Sequence, residues 1–402
     1  MFSRTSPIIG RPLRTSASEF DTAQRGYAPT TVMNNKARFG EGSGRLQALD
    51  LLRLVAVLGV VLFHYGFRGP AGADVAAAAL PELSSFARYG FLGVPVFFVI
   101  SGFVIAYSAE GRTATGFAIA RFARIYPCFI FCMTLTFVAV LLLGPPHFFT
   151  TPAQWAANLL LASPALRQPY MDSAYWSLVV EATFYGWVAI LIAAGVFRKR
   201  IDIVILLWLC ISILNELTVD SRAVEVVFLA DDSGFFATGI LIYEFYRGRR
   251  DATLRALLAL SIATAIFQAI HNLGWLRGRT GEPFDDCVVA AICLLSILII
   301  MGATRIRSLP IPASAVLAIG GMTYPMYLLH QQLGYTVFYR IGPIDRPAIL
   351  VAAIVFWVAV LSWAVWRFVE RPAQRWTKQT LTALAARMGW AAHSHPAPSP
   401  GA

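Results

Sequence analysis

Ten separate stretches of this 402-residue chain are apolar over roughly the ~20 residues that a helix needs to cross a bilayer. Their approximate limits are 47–67, 89–108, 125–144, 175–196, 201–218, 225–246, 252–272, 285–303, 313–335 and 347–368. That repetition leaves one fold class, an all-α integral membrane protein built as a bundle of about ten transmembrane helices. Composition agrees: 57% of residues are apolar and 14% charged, with a mean hydropathy of +0.62, which excludes an ordinary soluble domain. The net charge of +11 is therefore no argument for nucleic acid, because membrane proteins collect Lys and Arg in their cytoplasmic loops.

The basic residues test the span count independently of hydropathy. Placed on alternate connections, 24 of the 33 fall on one side. That side includes Arg4, Arg38 and Arg45 in the leading segment, Arg112, Arg121 and Arg124, Arg198 to Arg200, Arg247 to Arg255, Arg305 and Arg307, and Arg367 to Arg387. Eight lie on the other side and Arg53 sits inside a span. An even number of spans with both termini cytoplasmic follows. The expected organisation is a disordered N-terminal tail over 1–45, a membrane domain over 46–372 and a cytoplasmic C-terminal tail over 373–402. The five Cys have no CxxC or other metal-ligand spacing, so neither a disulfide framework nor a metal site is expected.

Ionisable residues inside lipid cost several kcal/mol unless they face protein or a water-filled cavity. Arg53 and His64 both lie in the first span, eleven residues or about three turns apart, so they share one helix face at a separation of ~16 Å. Standing alone, Arg53 would fit equally well as a residue snorkelling to headgroups, and His64 as a hydrogen-bonded core histidine. Glu181 lies in the fourth span, Asp231 and Asp232 in the sixth, and Tyr324, Tyr327 and His330 near the end of the ninth. If these helices pack together, two imidazoles and three carboxylates converge, which is an inventory for shielded acid/base chemistry. Arg121 and Arg124, three apart just before the third span, suit phosphate groups or simply mark the cytoplasmic side. Gly90, Gly93 and Gly102, with Ser101, form a small-residue face suited to close helix packing.

These residues carry a resemblance. Leu51-Leu52-Arg53 followed by His64, Gly93 to Phe103, Arg121-Phe122-Ala123-Arg124, Trp176-Ser177-Leu178 with Glu181, and Tyr324 to His330 stand in the order and on the spans of motifs in membrane-bound acyltransferase family 3. The resemblance covers roughly residues 46–372. It implies a bacterial inner-membrane O-acyltransferase that takes acyl-CoA, usually acetyl-CoA, from the cytoplasm and passes the acyl group to a carbohydrate or glycolipid acceptor at the outer face. It makes His64 catalytic and assigns Arg53, Arg121 and Arg124 to the CoA side, where Ser101 is also expected; Glu181 or an Asp is expected to orient His64. Ala182 follows Glu181 where members often carry a second acidic residue. The chain is also expected to lack the extracytoplasmic esterase-like domain that some members carry. The alternative is a multi-span transporter with His, Asp and Arg along a proton or substrate pathway; inverted repeats with broken helices would favour it, and neither is apparent in the sequence.

Overall fold

The computed structural model describes residues 46–69, 81–306, 308–342 and 345–390. The tail expected over 1–45, the end of the chain beyond 390 and Arg307 lie outside the described residues. Every regular element among the described residues is helical. Eight helices are long and apolar enough to cross a membrane unaided, and a bent pair forms a ninth such segment. With the shorter apolar helix Ala313–Leu329, all ten expected segments are present as helices in an all-α membrane bundle.

The elements run in the order α1 (Gln47–Phe63), which continues as a π-turn over His64–Arg68, then α2 (Gly93–Ala109), α3 (Ala114–Leu143) and α4 (Trp176–Ala193). After these come α5 (Ile201–Leu214), α6 (Arg222–Phe228), α7 (Ser233–Tyr246), α8 (Ala252–His271) and α9 (Asp286–Ala303). The chain closes with α10 (Ala313–Leu329), α11 (Gln331–Ile341), α12 (Pro347–Val365) and α13 (Arg371–Arg387). Local chemistry fixes several starts. The Thr113 hydroxyl accepts from the Gly116 amide, Asp251 from Leu254, and Asp285 from Cys287 and Val288, each relieving orphan donors of a first turn.

Helix boundaries depart from the hydropathy limits for identifiable reasons. The α3 helix begins at its Thr113 cap rather than near 125, and its 30 residues span about 45 Å, more than the ~30 Å of hydrocarbon. Arg121 and Arg124 therefore sit within α3 and not ahead of it. The last span does not stop near 368 but runs on into α13, so the helix reaches Arg387. The sixth segment is broken: α6 and the helix from Ala230 to Tyr246 meet at 56°, with Leu229 in the left-handed region at φ 53°. A broken helix is thus present where the sequence had shown none. The exposed backbone there is met by side chains, as Trp187 and Trp208 donate to the carbonyls of Val227 and Phe228, and Gln268 accepts from the Gly234 amide.

Without a hydrophobic drive between helices in lipid, packing relies on close approach and polar contacts. The small-residue face of the second span serves that purpose. A Cβ on Gly102 would strike the backbone of Phe236 and Gly239 in α7, and one on Gly90 or Gly93 would strike the backbone of Gly59 or Ala56 in α1. The α2 helix is thereby wedged between α1 and α7 and also touches α4, while α10 packs against α1 and α3.

Candidate active site in the helix bundle

The α1 helix delivers His64 to its end, and α10 delivers His330 to the single-residue interruption before α11. The two imidazoles meet, with His330 Nε2 3.1 Å from His64 Nδ1. Their protons can be assigned from their other partners. His330 Nδ1 lies 2.7 Å from the Tyr327 carbonyl oxygen, so it must carry hydrogen, which leaves a lone pair on the Nε2 of neutral His330. His64 Nδ1 lies 2.8 Å from the Val60 carbonyl and also faces that lone pair, so it carries hydrogen too. One N–H is shared by two acceptors, and His64 Nε2 is left with a lone pair and no hydrogen-bond partner among the described residues.

Hydroxyl groups hold this pair. The Tyr65 hydroxyl donates to the His330 carbonyl, and the Tyr335 hydroxyl donates to the His64 carbonyl at 3.2 Å, so each histidine's backbone is pinned by a tyrosine from the other side of the contact. Tyr65 lies so close to Gly334 that a Cβ there would overlap its ring. His330 is fully buried.

Below the histidines a track of polar groups runs toward the arginines. Ser177 shares a 2.6 Å hydrogen bond with the Tyr327 hydroxyl. One turn further along α4, Glu181 accepts from Ser101 at 2.9 Å and from the Tyr185 hydroxyl at 2.5 Å. Another turn on, the Arg121 guanidinium lies over the Tyr185 ring, 5.9 Å from its centre, and over Phe117 at 6.0 Å. Arg121 Nε is buried without a hydrogen-bond partner. Arg124 lies over Tyr324 at 5.8 Å and is ion-paired to Glu370 from the turn that joins α12 to α13. Arg53 is paired to Asp50 at 2.9 Å and lies within the field of Arg124. Arg112, in the connection before α3, has its pKa pushed down by burial and then by the charge of Arg121, a sign of concentrated positive charge at this end.

The structure brings some of the expected residues together and keeps others apart. Arg53 and His64 stand at opposite ends of one helix, and Arg121, Arg124 and Arg53 gather at the same end. His64, however, meets a histidine where a carboxylate was expected. Glu181 is engaged with Ser101 and Tyr185, and no carboxylate hydrogen-bonds either imidazole among the described residues. Asp231 and Asp232 belong elsewhere, beside the broken segment, where Glu216 and Gln268 are their neighbours. The physical reason is that break, which folds the acidic pair toward α5 and α8.

Two residues went unnoticed in the sequence. Glu370 is 2% exposed and directly follows an apolar span, a position that hydropathy treats as an exit from the membrane. Asp172 is 1% exposed and lies just ahead of α4; its two oxygens accept from the Ala174 amide at 2.9 Å and the Gln332 amide at 2.8 Å. Burial pushes its carboxyl up to about 7, against those two donors, which favour the charged form. An Asp before a helix reads as an ordinary cap, and its second partner lies 160 residues away.

A bundle of apolar helices with ionisable side chains converging inside it defines a multi-pass membrane protein with a chemically equipped interior. The chain belongs to acyltransferase family 3, whose model, described as an acyltransferase domain, matches residues 46–367. It is 27% identical over 305 residues to the exopolysaccharide production protein ExoZ of Rhizobium meliloti (strain 1021), covering 71% of this chain and 90% of that one. It is 32% identical over 151 residues to the acyltransferase MdmB of Streptomyces mycarofaciens, covering 35% of this chain and 38% of that protein. Protein 2 of the picA locus of Rhizobium radiobacter is 32% identical over 125 residues, 24% of this chain and 65% of its own. No solved structure matches.

Proposed function

We propose that this acyltransferase is an O-acyltransferase, most simply an O-acetyltransferase, that moves an acyl group from cytoplasmic acyl-CoA to a hydroxyl of a glycan or glycolipid at the outer face of the bacterial inner membrane. The observation that carries this reading is the protonation pattern of the histidine pair, which leaves His64 Nε2 with a free lone pair at the opposite end of α1 from Arg53. In this reading both termini are cytoplasmic, Arg121, Arg124 and Arg53 receive the CoA phosphates, and the pantetheine arm runs along the Ser101–Glu181–Tyr185 track. The ~16 Å between Arg53 and His64 along α1 is a distance that an extended pantetheine chain bridges.

The chemistry is then a direct transfer. His64 Nε2 takes the proton of the acceptor hydroxyl while that oxygen attacks the thioester carbonyl, and the C–S bond breaks with CoA thiolate leaving. The imidazolium returns its proton to the sulfur, so atoms and charge balance. His330 accepts the His64 Nδ1–H and stabilises the imidazolium, a role that a carboxylate often fills. Glu181 works deeper in the track, where it orders Ser101 and Tyr185. A glycan acceptor is supported by the likeness to a protein named for exopolysaccharide production.

The test is made in cells that lack the gene and are complemented with wild type or His64→Ala at matched expression, with base-labile O-acyl content of surface glycan as the readout. Wild type is expected to restore acylation and the variant to leave it at the deletion level. Failure of wild type to restore acyl groups would favour a second reading, a transporter, for which the broken helix at Leu229 is the observation in favour.

A further inference from the structure

The interruption between α10 and α11 falls on His330 itself, and the groups around it come from a segment about 160 residues earlier. The Leu328 carbonyl accepts from the Tyr175 hydroxyl at 3.1 Å, and the Gln332 amide donates to Asp172 Oδ2 at 2.8 Å. In an uninterrupted helix that carbonyl and that amide are partners, four residues apart. Here each takes a side chain from 172–175, and Gln331 donates to the Ser173 hydroxyl at 2.5 Å beside them. Side chains that insert into the i→i−4 ladder are a recognised cause of helix breaks. The inserting residues are themselves braced, because Asp172 Oδ1 accepts from the Ala174 amide and the Ala174 carbonyl accepts from the Tyr327 hydroxyl at 3.0 Å.

We infer that Asp172 and Tyr175 are positioning residues for the histidine pair: together they open the helix at His330 and so aim its Nε2 at His64. The inference rests on the reading of His64 as the catalytic base. Neither residue touches either imidazole through a hydrogen bond; they act through the backbone on both sides of His330. A carboxylate suits the task because its two oxygens take two N–H groups from two separate elements. An asparagine in its place keeps one acceptor and turns an NH2 toward the second amide.

The experiment uses the full chain in lipid nanodiscs, ¹⁵N-labelled at histidine, as wild type, Asp172→Asn and Tyr175→Phe, with His64→Ala and His330→Ala to assign signals. Protonated and unprotonated ring nitrogens resonate in separate ranges, so the spectrum reads the tautomer of each histidine. Wild type is expected to show one tautomer for each, and both positioning variants a mixture. Acetyl-CoA binding should be unchanged, and cellular O-acylation should fall on the order of 10-fold to 100-fold. A merely structural role would lower the amount of folded protein without moving the tautomer of what remains. Tyr175→Phe loses only a hydroxyl, so it serves if Asp172→Asn does not fold. Wild-type tautomers and acylation in both variants, with His64→Ala inactive, would overturn the positioning role and leave the catalytic reading intact. Full acylation with His64→Ala would overturn both.

Discussion

His64 and His330 lie 266 residues apart in the chain, and their ring nitrogens are 3.1 Å apart at the ends of α1 and α10. The direction of that hydrogen bond makes the two rings unequal: His64 keeps a free Nε2, while both nitrogens of His330 are engaged. Replacing His64 with Ala should abolish acyl transfer while the protein remains inserted and binds acyl-CoA. His330→Ala removes only the partner of the base and should cost on the order of 100-fold. Acyl content of the native glycan at matched expression separates the two. Complete loss with His330→Ala and retained acylation with His64→Ala would mean that His330 is itself the base.

The arginines at the other end are proposed to receive the donor. Changing Arg121 and Arg124 together to Gln should weaken acyl-CoA binding far more than acceptor use, and added salt should reproduce part of the loss. Unchanged donor affinity in the double variant, measured by equilibrium binding of labelled acetyl-CoA, would return both residues to a topological role.

Glu370→Gln removes the ionic partner of Arg124. Breaking a buried pair costs about 3–5 kcal/mol, and the 34% exposure of the Arg124 side chain places this one below that range. The variant should melt earlier in detergent, and acyl-CoA should restore more stability to it than to wild type, because donor phosphate replaces the lost carboxylate. Identical ligand-induced stabilisation in both proteins would argue against a donor site at Arg124.

Asp172 sets a pH dependence. The titratable groups that face it are Tyr65, Tyr175, Tyr327 and Tyr335. Its folded pKa is raised to about 7 by burial, above the ~3.9 of an unfolded chain. A carboxyl raised in this sense adds stability that is fully present below the unfolded value and is lost as pH rises through about 7. Wild type should therefore gain stability over Asp172→Asn as pH falls from about 8 to about 5, by at most about 3 kcal/mol. Parallel melting curves across that range would show that Asp172 titrates elsewhere. The carboxylate that positions His330 is thus held at a cost in stability, as functional sites often are.

The 24-to-eight asymmetry of basic residues makes a prediction about orientation. Reporter fusions should place both ends in the cytoplasm and the 68–88 and 145–174 connections outside. An extracytoplasmic C-terminus would reverse the side from which the donor is proposed to enter.

The sequence by itself determined the helices, because backbone in lipid must satisfy its own hydrogen bonds and a run of apolar residues leaves it no other regular form. It determined the Arg53–His64 stripe through the helical period. Five motifs in order located most of the polar residues. Which of those residues meet was decided only by tertiary structure: His64 met His330, Glu181 met Ser101 and Tyr185, and Glu370 reached Arg124. The break at Leu229 carried Asp231 and Asp232 away from the histidines, and Asp172 found the amide of Gln332. The reason is that lipid is as apolar as the faces it covers, so hydropathy marks each helix and leaves its neighbours unspecified. Neighbours are chosen by close contacts such as Gly102 against Gly239 and by polar groups that must find partners across the bundle, and neither is visible until the helices are side by side.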